Sequence, residues 1–327
     1  MEAVVRFILS FMILTAVSPA TASQLESSVT NCPVGGEKVA VYRLYTQNAL
    51  GGWDSDGARY STGGQGRSYE VSTCNNGLSL YARDMAVGLP DPSKEKLGPI
   101  LLAIQSENPG QQLGSFPAWK KHVFAARCYA AMERGALTEA RLYLSASWLV
   151  RDKAVGVYKG LDGPVMARLI MEGGDGELAK NLTLDQRKQV LFNLVKVAHR
   201  GGYSAERDKY LESIDALPEL VPAEKELLEV MRWASRTEPG LQDKALAAME
   251  RALKGQLEKD ERWSITYQAA DLYRRRGKVE RARTLFASLD KASVSNVAVK
   301  ELSAYFLAEM SGGSPWLDRR FQLLGSM

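Results

Sequence analysis

The chain has 327 residues, of which 24% are charged and 45% hydrophobic, so it has the composition of an ordinary globular protein. Forty-two Lys and Arg against 38 Asp and Glu give a formal charge of +4, a balance too mild to point to a nucleic-acid partner. Three cysteines are too few for a disulfide framework and two histidines leave little for acid-base chemistry, so the fold rests on a buried core.

Residues 1–22, "MEAVVRFILSFMILTAVSPATA", carry one Arg, an apolar stretch from Phe7 to Val17, and the small residues Ala20 and Ala22. This pattern predicts a secretory signal peptide cut after Ala22. The stretch is shorter than the roughly 18 residues of a membrane-spanning helix, and nothing later approaches that length. The expected mature protein is therefore exported, secreted or periplasmic, without a membrane span.

Residues 23–92 combine turn residues with short alternating runs such as "EKVAVYRLYT" and "RSYEVST", which predicts a small β-rich head. Two fragments of the head resemble halves of a metal-binding knuckle: in "CPVGG" Cys32 is followed by Gly35 where a second cysteine would stand, and in "CNNG" Cys74 is followed by Gly77. With one thiolate in each, a four-ligand zinc site cannot close, and His122 and His199 have no spacing that would complete it, so no metal or cofactor is expected. Between them, "WDSDGARY" places two carboxylates before a glycine. The further ligands of a calcium loop are missing, so the segment reads as a turn whose Asp side chains accept backbone hydrogen bonds.

Residues 93–117, rich in Pro, Gly and Gln, read as a linker. From residue 118 to the end the pattern is helical, and the helices come in pairs. In "WSITYQAADLYRRRGKVERARTLFASL", Ala270, Tyr273, Gly277, Ala282 and Phe286 stand at the spacing of a tetratricopeptide repeat, and Cys128, Ala131, Gly135, Ala140, Leu144 and Ser147 repeat it. A degenerate third copy keeps Gly202 and Leu211 but has Arg207 where Ala is expected. Further helices are predicted near 223–236 and 241–254. The fold class is α+β, mainly α: a small head followed by a solenoid of antiparallel helix pairs.

"CPVGG", "WDSDGARY", "SYEVSTC" and "SASWLVRD" together resemble the bacterial family called domain of unknown function 2225. That resemblance implies a degenerate zinc-ribbon-like head joined to tetratricopeptide-like helices, and it implies no activity. Two knuckles built to face one metal would hold Cys32 and Cys74 within the roughly 4.4 to 6.8 Å between Cα atoms that a disulfide needs, and an oxidising compartment would join them. Unpaired remnants or a redox-active pair are the alternatives, though no C-x-x-C is present. Cys128, at a small-residue position, is expected to be a buried and inert thiol.

No catalytic signature stands out: GxSxG, HExxH and a phosphate loop are all absent. If the first helix of each pair lines a concave groove, His122, Tyr129, Glu133, Tyr267, Asp271, Arg274 and Arg275 would face it and meet a partner, the arginines gripping its carboxylates. The plainer reading of "YRRRGK" is a solvated helix end. The sequence thus favours a protein- or peptide-binding scaffold of the bacterial envelope. The alternatives are an envelope enzyme using carboxylates between head and helices, or a structural part of a larger assembly.

Overall fold

The structure is a computed structural model that describes residues 24–46, 54–60, 66–156 and 164–312. The predicted signal peptide and its cleavage site lie outside the described residues. The described chain is α+β and mainly α, with its strands near the N-terminus and helices after them.

The head holds two antiparallel hairpins. Strand β1 (Gln24–Asn31) pairs with β2 (Lys38–Thr46), and β3 (Val71–Thr73) pairs with β4 (Ser79–Tyr81), with Val71 opposite Tyr81 and Thr73 opposite Ser79. Short helix α1 (Ala82–Val87) follows, and then α2 (Asp91–Ser106), α3 (Ala118–Ala131) and α4 (Ala136–Val155). The array continues with α5 (Pro164–Leu178), α6 (Leu184–Gly201), α7 (Ser204–Asp215), α8 (Pro222–Lys254), α9 (Lys259–Arg275), α10 (Val279–Lys291) and α11 (Val297–Met310).

The spacing of small residues produces the expected pairs. Helices α3 and α4, α6 and α7, and α9 and α10 lie against one another in sequence order. Each pair turns at a left-handed glycine: Gly135 at φ +90°, Gly202 at +77° and Gly277 at +70°, a region that glycine occupies without the steric cost of a Cβ. Cys128, Ala140, Ala270 and Ala282 are fully buried where the paired helices approach. Cys128 is a free thiol, and burial pushes it up to about 11, so it stays protonated near neutrality.

Two stretches differ from the sequence reading. Residues 93–117 include most of α2, because Leu97, Leu101 and Ile104 fall on one helical face and bury against the core, while Pro92 sits in the first turn where a missing N–H costs nothing. One continuous helix of 33 residues, α8, replaces the two expected near 223–236 and 241–254. Pro239 removes one hydrogen bond from it, but the buried stripe Leu228, Met231, Ala234, Leu241, Ala245 and Ala248 runs through that point and packs along α4. Burial of that stripe outweighs the lost bond. One hydrophobic cluster reaches from Cys32, Val41 and Leu80 of the head through Ile104 and Phe124 to Phe306, so head and helices share a core.

Candidate functional site: an acidic turn held in the helical groove

The two half-knuckles are the turns of the two hairpins. Cys32 N–H donates to Glu37 O at 2.7 Å and Gly36 N–H to Cys32 O at 3.1 Å; Cys74 N–H donates to Leu78 O at 2.8 Å and Gly77 N–H to Cys74 O at 3.0 Å. Each cysteine thus opens a tight loop, and Cys32 and Cys74 are joined by a disulfide with Cα atoms 6.1 Å apart. Asn76 Nδ2 donates to Val34 O at 2.7 Å, so the two loops are also hydrogen-bonded to each other. Gly77 has φ +90°, and a Cβ there would approach Ile104 Cγ2 to 2.7 Å. Gly77, where a second cysteine was looked for, therefore has no room for a side chain. Glu37 is the one further metal-capable group beside the two sulfurs among the described residues, and while the sulfurs are bonded to each other they offer no thiolate.

"DSDGA" repeats the backbone of "CNNGL". Asp54 N–H donates to Ala58 O at 2.8 Å and Gly57 N–H to Asp54 O at 3.0 Å, the same two bonds at nearly the same lengths, and Gly57 has φ +87°. Asp56 Oδ1 accepts from Ala58 N–H at 3.3 Å as Asn76 Oδ1 accepts from Leu78 N–H at 2.9 Å. The segment is the turn that the sequence suggests. Its side chains do more than close it, because the turn is buried between helices α4, α6 and α9.

Arg151 of α4 is fully buried and forks onto Asp56, with Nη1 2.7 Å from Oδ2 and Nη2 3.3 Å from Oδ1. Its Nη2 lies 3.1 Å from Asp54 Oδ2. Arg200 of α6 donates from Nε to Asp54 Oδ1 at 3.0 Å, and Tyr60 Oη donates to Asp54 Oδ2 at 2.7 Å. From α9, Arg275 donates Nη2 to Ser55 Oγ at 2.6 Å and Nε to Asp271 Oδ2 at 2.7 Å, while Ser55 Oγ donates to the same Asp271 oxygen at 3.1 Å. Arg200 and Arg275 each stand two residues before the turning glycine of their helix pair, so two repeats present the same cation to one acidic turn. The Arg200 guanidinium also lies 4.4 Å from the Tyr60 ring centroid, and Arg67 lies 5.3 Å from Tyr60 and 4.9 Å from Trp148.

Burial raises the Asp56 carboxyl, but the adjacent Arg151 and Arg275 guanidiniums outweigh it and hold the group well below the ordinary carboxylate range. Behind Arg151, Glu238 of α8 lies 3.4 Å away and 2.5 Å from His199 Nε2 of α6. Desolvation opposes the charge on both; for His199 desolvation wins and lowers its pKa, and for Glu238 the neighbouring His199 and Arg151 win and keep it ionised. His199 Nε2 and Glu238 Oε2 are thus joined by one short buried hydrogen bond. His199 and Glu238, with Gln242, Ser204, Arg207 and Arg276, line a cavity of about 150 Å³ at the ends of α6, α7 and α9.

The seven residues expected to face a partner all make contacts within the chain. Asp271, Arg274 and Arg275 come together around the acidic turn, Arg274 donating Nε to Asp271 at 2.8 Å and Nη2 to Gly201 O at 2.7 Å. Tyr267 is buried nearby with its ring edge-on to Phe286. At the other end, His122 is fully buried with Nδ1 2.8 Å from Ala118 O, and Tyr129 donates to Asp84 while accepting from Tyr81 N–H at 3.2 Å. Glu133 is exposed and pairs with Lys96 at 2.6 Å. Sequence reasoning did not find Arg151, Arg200, His199 and Glu238, nor the groove as the destination of Asp54 and Asp56. A signal existed for Arg151: it extends the buried face Ala140, Leu144 and Ser147 at helical spacing, where a charge demands a partner.

Compared with protein families, curated proteins and solved structures, the chain has no match.

Proposed function

We propose that this chain is an exported protein- or peptide-binding scaffold of the bacterial envelope whose helical groove recognises paired carboxylates on a tight turn. The observation that carries this reading is the grip of Arg151, Arg200 and Arg275 on the chain's own Asp54-Ser55-Asp56 turn. Guanidinium forks from successive repeats suit planar carboxylates, and a partner bearing a similar acidic turn would compete for the same arginines. The likeness to domain of unknown function 2225 belongs to this proposal, with the disulfide standing where that family's head would hold a metal.

The test is a fluorescent peptide of sequence WDSDGARY, titrated against the mature chain and against the Asp54→Asn, Asp56→Asn variant. The variant, its own turn weakened, is expected to bind the peptide at least tenfold more tightly than the parent. Equal failure of both chains to bind, with the variant's melting transition still cooperative, overturns the reading.

The His199–Glu238 pair favours a second reading, a hydrolytic enzyme of the envelope. Asp56 is held ionised by Arg151 and Arg275, and Glu238 by His199 and Arg151, so neither donates a proton near neutrality and the base in such an enzyme would be the His199 ring with Glu238 orienting it. Hydrolysis of a generic ester by the parent and its loss in His199→Gln would support it; equal rates in both would remove it.

A further inference from the structure

Between the two carboxylates of the acidic turn stands Ser55, 1% exposed. Its Oγ accepts a hydrogen bond from Arg275 Nη2 at 2.6 Å and donates one to Asp271 Oδ2 at 3.1 Å. The two groups it meets are one turn apart on α9 and are bonded to each other, Arg275 Nε donating to the same Oδ2 at 2.7 Å. A hydroxyl has one proton to give and lone pairs to receive, so it satisfies both at once.

This pair is buried and fixed in place. Asp271 is fully buried and Arg275 is 6% exposed. Asp271 Oδ1 accepts from Arg274 Nε at 2.8 Å, which holds the carboxylate from its other side. Arg275 Nη2 also donates to Arg200 O at 2.9 Å, and Arg274 Nη2 donates to Gly201 O at 2.7 Å, so the end of α6 anchors both guanidiniums. A side chain without a hydroxyl would leave these buried charged groups each short of a bond, which costs more than the bond itself contributes. A carboxylate at the same place would accept from Arg275 but face Asp271, and like charges brought together repel.

We propose that the Asp271–Arg275 pair reads the residue between a partner's two carboxylates and selects a serine hydroxyl. The partner is then a protein whose acidic turn has the order Asp-Ser-Asp, with Arg151 and Arg200 receiving the carboxylates and the pair on α9 receiving the hydroxyl. Sites built around a hydroxyl reject the analogue that lacks it, because their own polar groups then go unpaired. The selection rests on the groove reading and narrows it, since carboxylate spacing alone would admit any residue in the middle.

The experiment compares fluorescent peptides on the Asp54→Asn, Asp56→Asn variant: WDSDGARY and its counterparts with alanine or aspartate in place of the serine. WDSDGARY should bind at least about tenfold more tightly than either counterpart. Adding Asp271→Ala with Arg275→Met exchanges the pair as a unit for apolar groups, and the preference should shrink to less than about threefold. A preference that came only from the peptide's own tendency to turn would persist in that chain. Where these multiple variants do not fold, the chain's own turn supplies the measurement: Ser55→Ala in the otherwise unaltered protein should lower the melting temperature by at least about 3 °C. Equal binding of the three peptides, a preference unchanged without the pair, or a Ser55→Ala chain that melts with the parent overturns the selection. Tight binding of all three peptides removes the selection alone and leaves the groove reading standing, whereas failure of WDSDGARY itself to bind falls on the groove reading and takes the selection with it.

Discussion

The turns at 54–58 and 74–78 share a backbone and differ in what their first side chain joins. Both close with the same pair of main-chain hydrogen bonds and a left-handed glycine. At 74–78 the first residue is a cysteine, and it bonds covalently to the neighbouring loop. At 54–58 it is an aspartate, and with Asp56 it bonds ionically to α4 and α6. One small motif thus serves two kinds of fastening. A disulfide acts chiefly by constraining the unfolded chain and is indifferent to mild acid, whereas a buried ion pair exists only while its carboxylates stay ionised.

The comparison breaks most sharply at Arg151. Asp56→Ala leaves a fully buried guanidinium short of its main partner, and urea unfolding should show a loss of about 3–5 kcal/mol. Adding Arg151→Met should recover part of that loss, so the double variant falls well short of the sum of the singles. Removing the other fastening by Cys32→Ser with Cys74→Ser should cost roughly 3–4 kcal/mol, since the bridge closes a separation of 42 residues.

The glycines sharpen it further. Gly77→Ala combines a left-handed backbone with contacts to Ile104 and Leu113 and should cost about 2–3 kcal/mol; Gly57→Ala meets only the end of the flexible Gln268 side chain at 3.2 Å and should cost about 1 kcal/mol. Acid should separate the fastenings without mutation. His199, lowered in the folded state, binds fewer protons than when unfolded, so its contribution is present above about pH 6.5 and declines below it. Asp56 and Glu238 are also lowered, so their contribution holds above about pH 4 and is lost as pH falls further. Thermal melts from pH 8 to pH 3 should therefore fall in two steps, the second absent in Asp56→Ala with Glu238→Gln if that variant folds. The smallest effect belongs to the surface: Arg127→Ala, losing its two-pronged bond to the exposed Glu107, should change stability by less than about 1 kcal/mol.

Much of the fold was legible because it is local. Small residues at repeat spacing and a glycine at each turn gave the helix pairs, and cysteine context gave the Cys32–Cys74 pairing. The uninterrupted α8 was not legible, since Thr237-Glu238-Pro239-Gly240 is locally a stop and only packing along α4 carries the helix through it. The cluster around the acidic turn was legible in halves. Asp271, Arg274 and Arg275 were expected on the inner face of α9, and the Asp pair was expected in a turn, but the spacing of neither says that they meet.

By itself the sequence determined the pieces: a head of tight turns and helices with small-residue seams. Local propensity and periodicity are written within a few residues, so a single chain can be read for them. Only the tertiary structure decided that the head's carboxylates, 95 residues from Arg151 and 146 from Arg200, would fill the groove and leave a separate cavity beside His199. A buried charge constrains its surroundings to supply an opposite one but does not say from where along the chain, and that choice is made by the packing of elements far apart in sequence.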